Sequence, residues 1–195
     1  MSSTLTSRPV EAPDDVAAEL ARLRAENAAL QAEVATLKTL ADHDALTPVL
    51  NRRAFVRELT RAMAFSKRYG APACLLYLDL DGFKAVNDRH GHLAGDAALK
   101  RIADILVANV RESDVVGRMG GDEFAVLLQQ ADLDAARTKA AGLAALIAAD
   151  PFEAAGERVM LGASFGVRAF EGQEGAETWL AEADAAMFVR KRGPR

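Results

Sequence analysis

Polar and apolar positions divide the chain into two regimes. The stretch DVAAELARLRAENAALQAEVATLKTLADHD, residues 15–44, holds no glycine or proline and is rich in Ala, Leu, Glu and Arg. Within it Val16, Leu20, Leu23, Asn27, Leu30, Val34, Leu37 and Ala41 recur alternately four and three residues apart, which is a heptad seam. Leu23, Leu30 and Leu37 take the d positions, with Leu20, Asn27 and Val34 at a. Leucine at d with a lone asparagine at a predicts a parallel two-stranded coiled coil over 15–42, since the two asparagines pair in that register. Glu19, Glu26 and Glu33 at g and Arg24, Gln31 and Lys38 at e supply complementary flanks. A single amphipathic helix lying on the following domain is the alternative. The seam is only two residues per heptad wide, narrower than the usual core-facing stripe, and this favours the dimer. Residues 1–14, rich in Ser, Thr, Pro and Asp, are expected to be a disordered N-terminus.

From residue 43 onward the periodicity changes. NRRAFVRELTRAMAFSKRYG predicts a helix ending at Gly70, and ACLLYLDL a buried strand. DGFKAVNDRHGH reads as a short helix and turn. LAGDAALKRIADILVANVRE follows as a long helix with Leu99, Ile102, Leu106 and Val110 inward. DVVGRM and EFAVLLQQ flank Gly120-Gly121, a hairpin signal. DLDAARTKAAGLAALIAAD predicts another helix. RVMLGASFGVRAF is strand-like, with Gly162 and Gly166 marking a bulge or a close backbone approach, and GAETWLAEADAAMFVRKR closes as a helix. Helices alternating with short strands give an α/β domain over 43–195, with helices covering a sheet.

Composition narrows the classes of function. At 195 residues, half of them hydrophobic, the chain suits one domain plus an appendage. A net charge of −4 argues against a general nucleic-acid or anionic-membrane binder. No apolar run reaches the roughly 18 residues a membrane span needs, and the N-terminus lacks signal-peptide character, so a cytoplasmic location is expected. The lone cysteine, Cys74, lies in an apolar run and reads as a buried thiol. His43, His90 and His92 are too few and too dispersed for a zinc site.

Acids concentrate where strands end. In LLYLDLDGFKAVND an apolar strand runs into Asp79 and Asp81 and breaks at Gly82, beside a helix start. Taken singly, Asp81 reads as a helix cap and Asp79 as a solvated acid. In GRMGGDEF, however, Asp122 and Glu123 open a buried strand immediately after Gly120 and Gly121. If the two strands are neighbours, three or four carboxylates converge and repel unless a cation neutralises them. Oxygen-only ligands suit Mg²⁺ completed by substrate phosphates, and the bare glycines would let a nucleotide approach closely.

GRMGGDEF, preceded by LDLDGFKAVNDRHGHLAGD and HDALTPVLNRRAF at matching spacing, resembles the GGDEF-domain diguanylate cyclases over residues 43–195. The resemblance implies a fold like adenylyl cyclases and polymerase palm domains, with a ferredoxin-like core. It implies a reaction that joins two GTP molecules into cyclic di-GMP with release of two pyrophosphates. By the same resemblance Asp79, the Leu80 carbonyl, Asp122 and Glu123 are metal ligands for two Mg²⁺ ions per half-site, Mn²⁺ being an alternative. Asp122, Glu123 and Lys84 become the catalytic residues. Asn87 and Asp96 become guanine readers, a chemically apt pair because a carboxylate accepts from guanine N1–H and N2–H₂. Backbone amides at Phe83 and Lys84, with Gly120, Gly121, Lys191 and Arg195, line the nucleotide. Pro48, Gly82 and Pro194 depart from the family pattern. Without that context Asn87 would read as a helix-end residue and Asp96 as an N-cap.

Nine residues before Gly120, Arg111 and Asp114 form R-x-x-D. Its ordinary reading is an ion pair at a helix end. At this offset it matches the family's inhibitory product-binding site, where arginine grips phosphate and the guanine edge. One GTP site cannot complete a two-GTP reaction, so two domains must face each other, and the coil raises the partner's effective concentration. The alternatives are an idle domain that binds cyclic di-GMP or GTP as a receptor, and a coiled-coil interaction protein with GTP as effector.

Overall fold

The computed structural model describes residues 13–154 and 156–192. Contacts divide the described chain between Ala41 and Asp42. The first unit holds the helix α1, Pro13–Asp42, as far as Ala41. Its seam side chains, Val16, Leu20, Leu23, Leu30, Val34 and Leu37, are all exposed. Glu19, expected to face a partner, is held by Arg22 on its own helix at 2.8 Å. Residues 1–12 of the expected disordered N-terminus lie outside the described residues.

The second unit runs β1 (Leu50–Asn51), α2 (Arg52–Tyr69), β2 (Ala73–Asp81), α3 (Phe83–His90), α4 (His92–Ala108), β3 (Val115–Gly120), β4 (Glu123–Gln129), α5 (Leu133–Ala149), β5 (Phe152–Ala154), β6 (Glu157–Val159), β7 (Gly162–Ala169) and α6 (Ala176–Arg192). The main sheet has the order β1-β3-β4-β2-β7, antiparallel except for β1 beside β3. Without β1, the strands β2, β3, β4 and β7 and the helices between them form the split βαβ arrangement of a ferredoxin-like core. This is the α/β palm-like architecture expected from the motifs.

Why β2 is apolar almost throughout follows from its place at the centre. Its side chains alternate between two cores. Leu76, Leu78 and Leu80 join Phe124 and Val126, under Leu99, Ile102 and Leu106 of α4 and Leu143 and Ile147 of α5. Leu75 and Tyr77 join Ala125 and Leu127, under Phe55, Leu59 and Met63 of α2 and Trp179, Leu180 and Met187 of α6. Gly166 of β7 has the close approach its position suggested, because a Cβ there would overlap the backbone of Ala183 and Met187 in α6. Asn51 caps α2 by accepting from the Ala54 amide at 3.0 Å, and Gly70 closes it with φ of 67°. Cys74 is buried and free, its thiol pushed up to about 11 by burial and by Asp132.

Three local features differ from the pattern reading. The helix α4 stops at Ala108, because Asn109 turns its side chain back onto the Ile105 carbonyl at 2.8 Å. Val110, expected on the helix face, therefore packs from the following turn. Second, β1 is too short to show a period. Third, β5 and β6 form a small separate hairpin before β7.

Candidate active site

The site begins where β2 leaves the core. Alternation along the strand puts Tyr77 and Asp79 on the α2/α6 face, and β4 pairs Glu123 directly opposite Asp79. The two acids from separate motifs are thus cross-strand neighbours. Tyr77 Oη donates to Glu123 Oε2 at 3.1 Å. From α6, Lys191 ion-pairs with Asp79 and lies 3.5 Å from Asp81. Asp81 accepts from Ser164 Oγ of β7 at 3.0 Å through either oxygen. The side chain of Leu80 is buried in the core, and the residue pairs with Ala163 of β7.

Burial first, and neighbouring acids after it, act on the two hairpin carboxylates. Asp122 is pushed above the ordinary carboxylate range by burial and by Asp79, although Lys191 and Arg118 pull the other way. Glu123 is raised by burial and by the charges of Asp184, Asp79 and Asp122, against the opposing Tyr77 hydrogen bond. For Lys191, partial burial is outweighed by Asp79 and Asp81, which hold the ammonium above its usual range. A cation therefore already sits on the acid cluster, in the form of a lysine.

The glycines of the hairpin are required by conformation. Gly120 and Gly121 have φ of 151° and 50°, and a Cβ on either would meet nothing within 4 Å. Open space above them leaves the approach expected for a ligand. Arg118 braces the turn. Its Nε and Nη2 donate to the Gly121 carbonyl at 3.0 and 2.7 Å, while Nη1 reaches Asp44 at 3.1 Å. Asp44 in turn accepts from the Thr47 hydroxyl and amide at 2.7 and 2.9 Å. Burial pushes the Asp44 carboxyl up, but Thr47 and Arg118 outweigh it and hold it below its ordinary value.

Of the expected base-reading residues, Asn87 lies against the neighbour of Asp96. Asn87 and Phe83 on α3 lie against Gly95 of α4, where any Cβ would overlap the Asn87 side chain. Asp96 follows directly. The cap of α4 is Gly91, so Asp96 sits inside the helix and the N-cap reading fails. Gly82 precedes α3 with φ of 85°, and the first amides of that helix, at Phe83 and Lys84, lack intrahelical acceptors. Lys84 is exposed on the same turn. At its other end α3 is tied to β6, with Arg89 2.7 Å and His90 3.9 Å from Glu157.

Arg111 and Asp114 are not on a helix. They lie in the turn after α4, where Asp114 accepts from the Arg111 amide at 3.0 Å and the Gln129 amide at 3.1 Å. The carboxylate is thus held by backbone, and the ordinary reading of an intrahelical ion pair does not apply. Arg111 is exposed and borders two cavities, of about 340 and about 180 Å³. Arg195 and Pro194 lie outside the described residues. Sequence reasoning missed Tyr77, Arg118, Ser164 and Gly95. A tyrosine in an apolar strand and an arginine two residues before a glycine pair were the available signals.

Comparison with known proteins then places the domain. Residues 41–195 match the family model described as diguanylate cyclase, GGDEF domain. The chain belongs to the GGDEF diguanylate cyclase family. It is 43% identical over 152 residues to diguanylate cyclase DgcP of Pseudomonas aeruginosa, covering 78% of this chain and 23% of that protein. It is 38% identical over 185 residues to diguanylate cyclase TpbB of the same species, covering 93% of this chain and 42% of that one. The chain thus spans less than half the length of these GGDEF relatives. Among solved structures, the coiled coil and GGDEF domain of DgcB from Caulobacter crescentus, in complex with c-di-GMP, superposes with a TM-score of 0.84. That match has 28% identity and covers 92% of this chain and 96% of that one.

Among the described residues no group of three or more His, Cys, Asp or Glu is arranged to hold a metal ion. The donor chemistry nevertheless fits a hard cation. Asp79, Asp122 and Glu123 are oxygen donors at one strand end, and a positive charge is already drawn to Asp79. Mg²⁺ keeps several waters and takes one or two carboxylates plus substrate phosphates, so it needs no ready-made protein cage. Among the described residues no helix is long and apolar enough to cross a membrane.

Proposed function

We propose that this GGDEF domain condenses two GTP into cyclic di-GMP and two pyrophosphates, across a homodimer held by a parallel coil of residues 15–42. The observation that carries this reading is the pairing of Asp79 with Glu123 on adjacent strands, beside Asp122 and Lys191. Asp79, the Leu80 carbonyl, Asp122 and Glu123 would hold two Mg²⁺ or Mn²⁺ ions. A metal held there would supply charge that neutralises the triphosphate and would lower the barrier to in-line attack by a 3′-hydroxyl. Glu123 and Asp122 would help to take the hydroxyl proton. Lys191 exchanges its carboxylate partners for phosphate oxygens, Lys84 and the Phe83 and Lys84 amides hold phosphates at the start of α3, and Gly120 and Gly121 leave room for the nucleotide. Asn87 and Asp96 read guanine, and adenine would leave the Asp96 carboxylate unpaired at a penalty of about 1–3 kcal/mol.

Residues 43–195 act as the catalytic unit, and the exposed seam of α1 brings a second copy within reach. The DgcB structure, which joins a coil to a GGDEF domain, supports that division. Arg111, exposed and anchored beside Asp114, would bind product and restrain turnover. Incubation of purified protein with GTP and Mg²⁺, followed by chromatography, tests the reading. After stripping of co-purified nucleotide, absence of cyclic di-GMP overturns it and leaves a receptor. Arg111→Ala should relieve product inhibition, and an unchanged inhibition constant rejects that site. Charged replacements of Leu23 and Leu30 should slow turnover most at low protein concentration, and an unchanged rate per chain rejects the coil as dimeriser.

A further inference from the structure

The side chain of Tyr77 is 5% exposed, and its ring is fixed among Leu75, Ala125 and Leu127 beneath α2 and α6. A phenylalanine would fill that space equally well. What tyrosine adds is a hydroxyl, and a buried hydroxyl needs a partner. Its partner is Glu123 Oε2, at 3.1 Å. Glu123 is the first residue of β4, and the next residue, Phe124, is buried on the opposite face of the sheet. A tyrosine ring has two torsions and a rigid reach, so its hydroxyl supplies a fixed point. Asp184 of α6 and Arg52 of α2 lie close enough to act on the same hydroxyl, with opposite signs.

We propose that Tyr77 is a positioning residue of the site. By holding Glu123 Oε2 it fixes the carboxylate beside Asp79 and leaves Oε1 as the oxygen offered to a divalent cation. The inference rests on the proposed metal role of Glu123. It goes beyond that role in assigning a function to a residue of the hydrophobic core, acting through a single hydrogen bond. Tyr77 touches neither substrate nor metal. Its effect is to reduce the number of orientations that Glu123 samples before a ligand arrives.

The test is a double-mutant cycle on metal binding. Mn²⁺ binding, with a non-hydrolysable GTP analogue present, is followed by electron paramagnetic resonance. The proteins are wild type, Tyr77→Phe, Glu123→Gln and the double variant, with thermal midpoints recorded for each. Tyr77→Phe should weaken Mn²⁺ by about tenfold. The same change in the Glu123→Gln background should alter affinity less than about twofold, because the carboxylate that the hydroxyl positions is gone. In turnover, kcat should fall while KM for GTP stays put. Unchanged Mn²⁺ affinity in either single variant overturns the proposal, and so does an equal loss in both backgrounds. If the wild type binds Mn²⁺ but forms no cyclic di-GMP, the cyclase reading falls while the cycle still decides the role of Tyr77.

Discussion

Two sets of carboxylates in the same domain are treated in opposite ways. Asp44 accepts from Thr47 twice and from Arg118, and Asp114 accepts from two backbone amides. These acids are surrounded by donors, and Asp44 is held below its ordinary range despite partial burial. Asp122 and Glu123 instead face burial and other acids, and both are raised. The first set spends its charge on the fold. The second keeps charge that the protein itself only partly neutralises, through Lys191, Arg118 and one tyrosine hydroxyl. Perturbation of this second kind marks a place where a cationic ligand gains most.

The contrast predicts that the two sets fail differently. Asp122→Ala should lower turnover by roughly 10²–10³-fold or more while the thermal midpoint stays within a few degrees of wild type. Retained turnover would break the assignment of Asp122 to the reaction. Asp44→Ala should do the reverse. Loss of a partly buried, charge-assisted set of hydrogen bonds costs about 2 kcal/mol, a drop of roughly 4–8 °C for a domain of this size. Arg118 then loses one partner of its brace, so a smaller loss of activity through the Gly121 turn is expected as well. Calorimetry and the chromatographic assay on the same samples would separate the two patterns.

How much of this was visible beforehand depends on range. The central strand, the hairpin and the Gly70 stop were legible because each rests on local chemistry: a doubly buried apolar run, a glycine pair, a left-handed cap. The inward set Leu99, Ile102 and Leu106 was equally plain. The end of α4 was not, since the Asn109 side chain that turns back on the helix looks like any polar residue in the sequence. The site was legible as motifs but not as contacts. Lys191 meets Asp79 across 112 positions, and Arg118 meets Asp44 across 74. Nothing local announces such pairs. Tyr77 was hidden for a different reason. In an apolar strand its ring satisfies the hydrophobic pattern, so the hydroxyl draws no notice until Glu123 is seen beside it.

The sign of the pH response sharpens the comparison further. The Asp44 carboxyl is depressed in the folded state, relative to about 3.9 in an unfolded chain. Its stabilisation is fully present above the unfolded value and is lost as pH falls through the folded one. The midpoint difference between wild type and Asp44→Asn should therefore be constant near neutrality and shrink below about pH 4. A gap that persists in acid would mean the carboxylate charge contributes nothing.

The smallest expected effect has the opposite sign. Glu123 is raised in the fold, so its ionised form is disfavoured there, and the penalty is full above the folded pKa and fades to nothing as pH falls to the unfolded value. Glu123→Gln removes that charge yet keeps an oxygen to accept from Tyr77. In metal-free buffer near neutral pH the variant should melt at or slightly above the wild-type temperature. Addition of Mg²⁺ with a non-hydrolysable GTP analogue should reverse the order, because the wild type alone regains what the acid was kept for. A midpoint several degrees below wild type in metal-free buffer would place Glu123 with Asp44 and Asp114, among the acids that serve the fold.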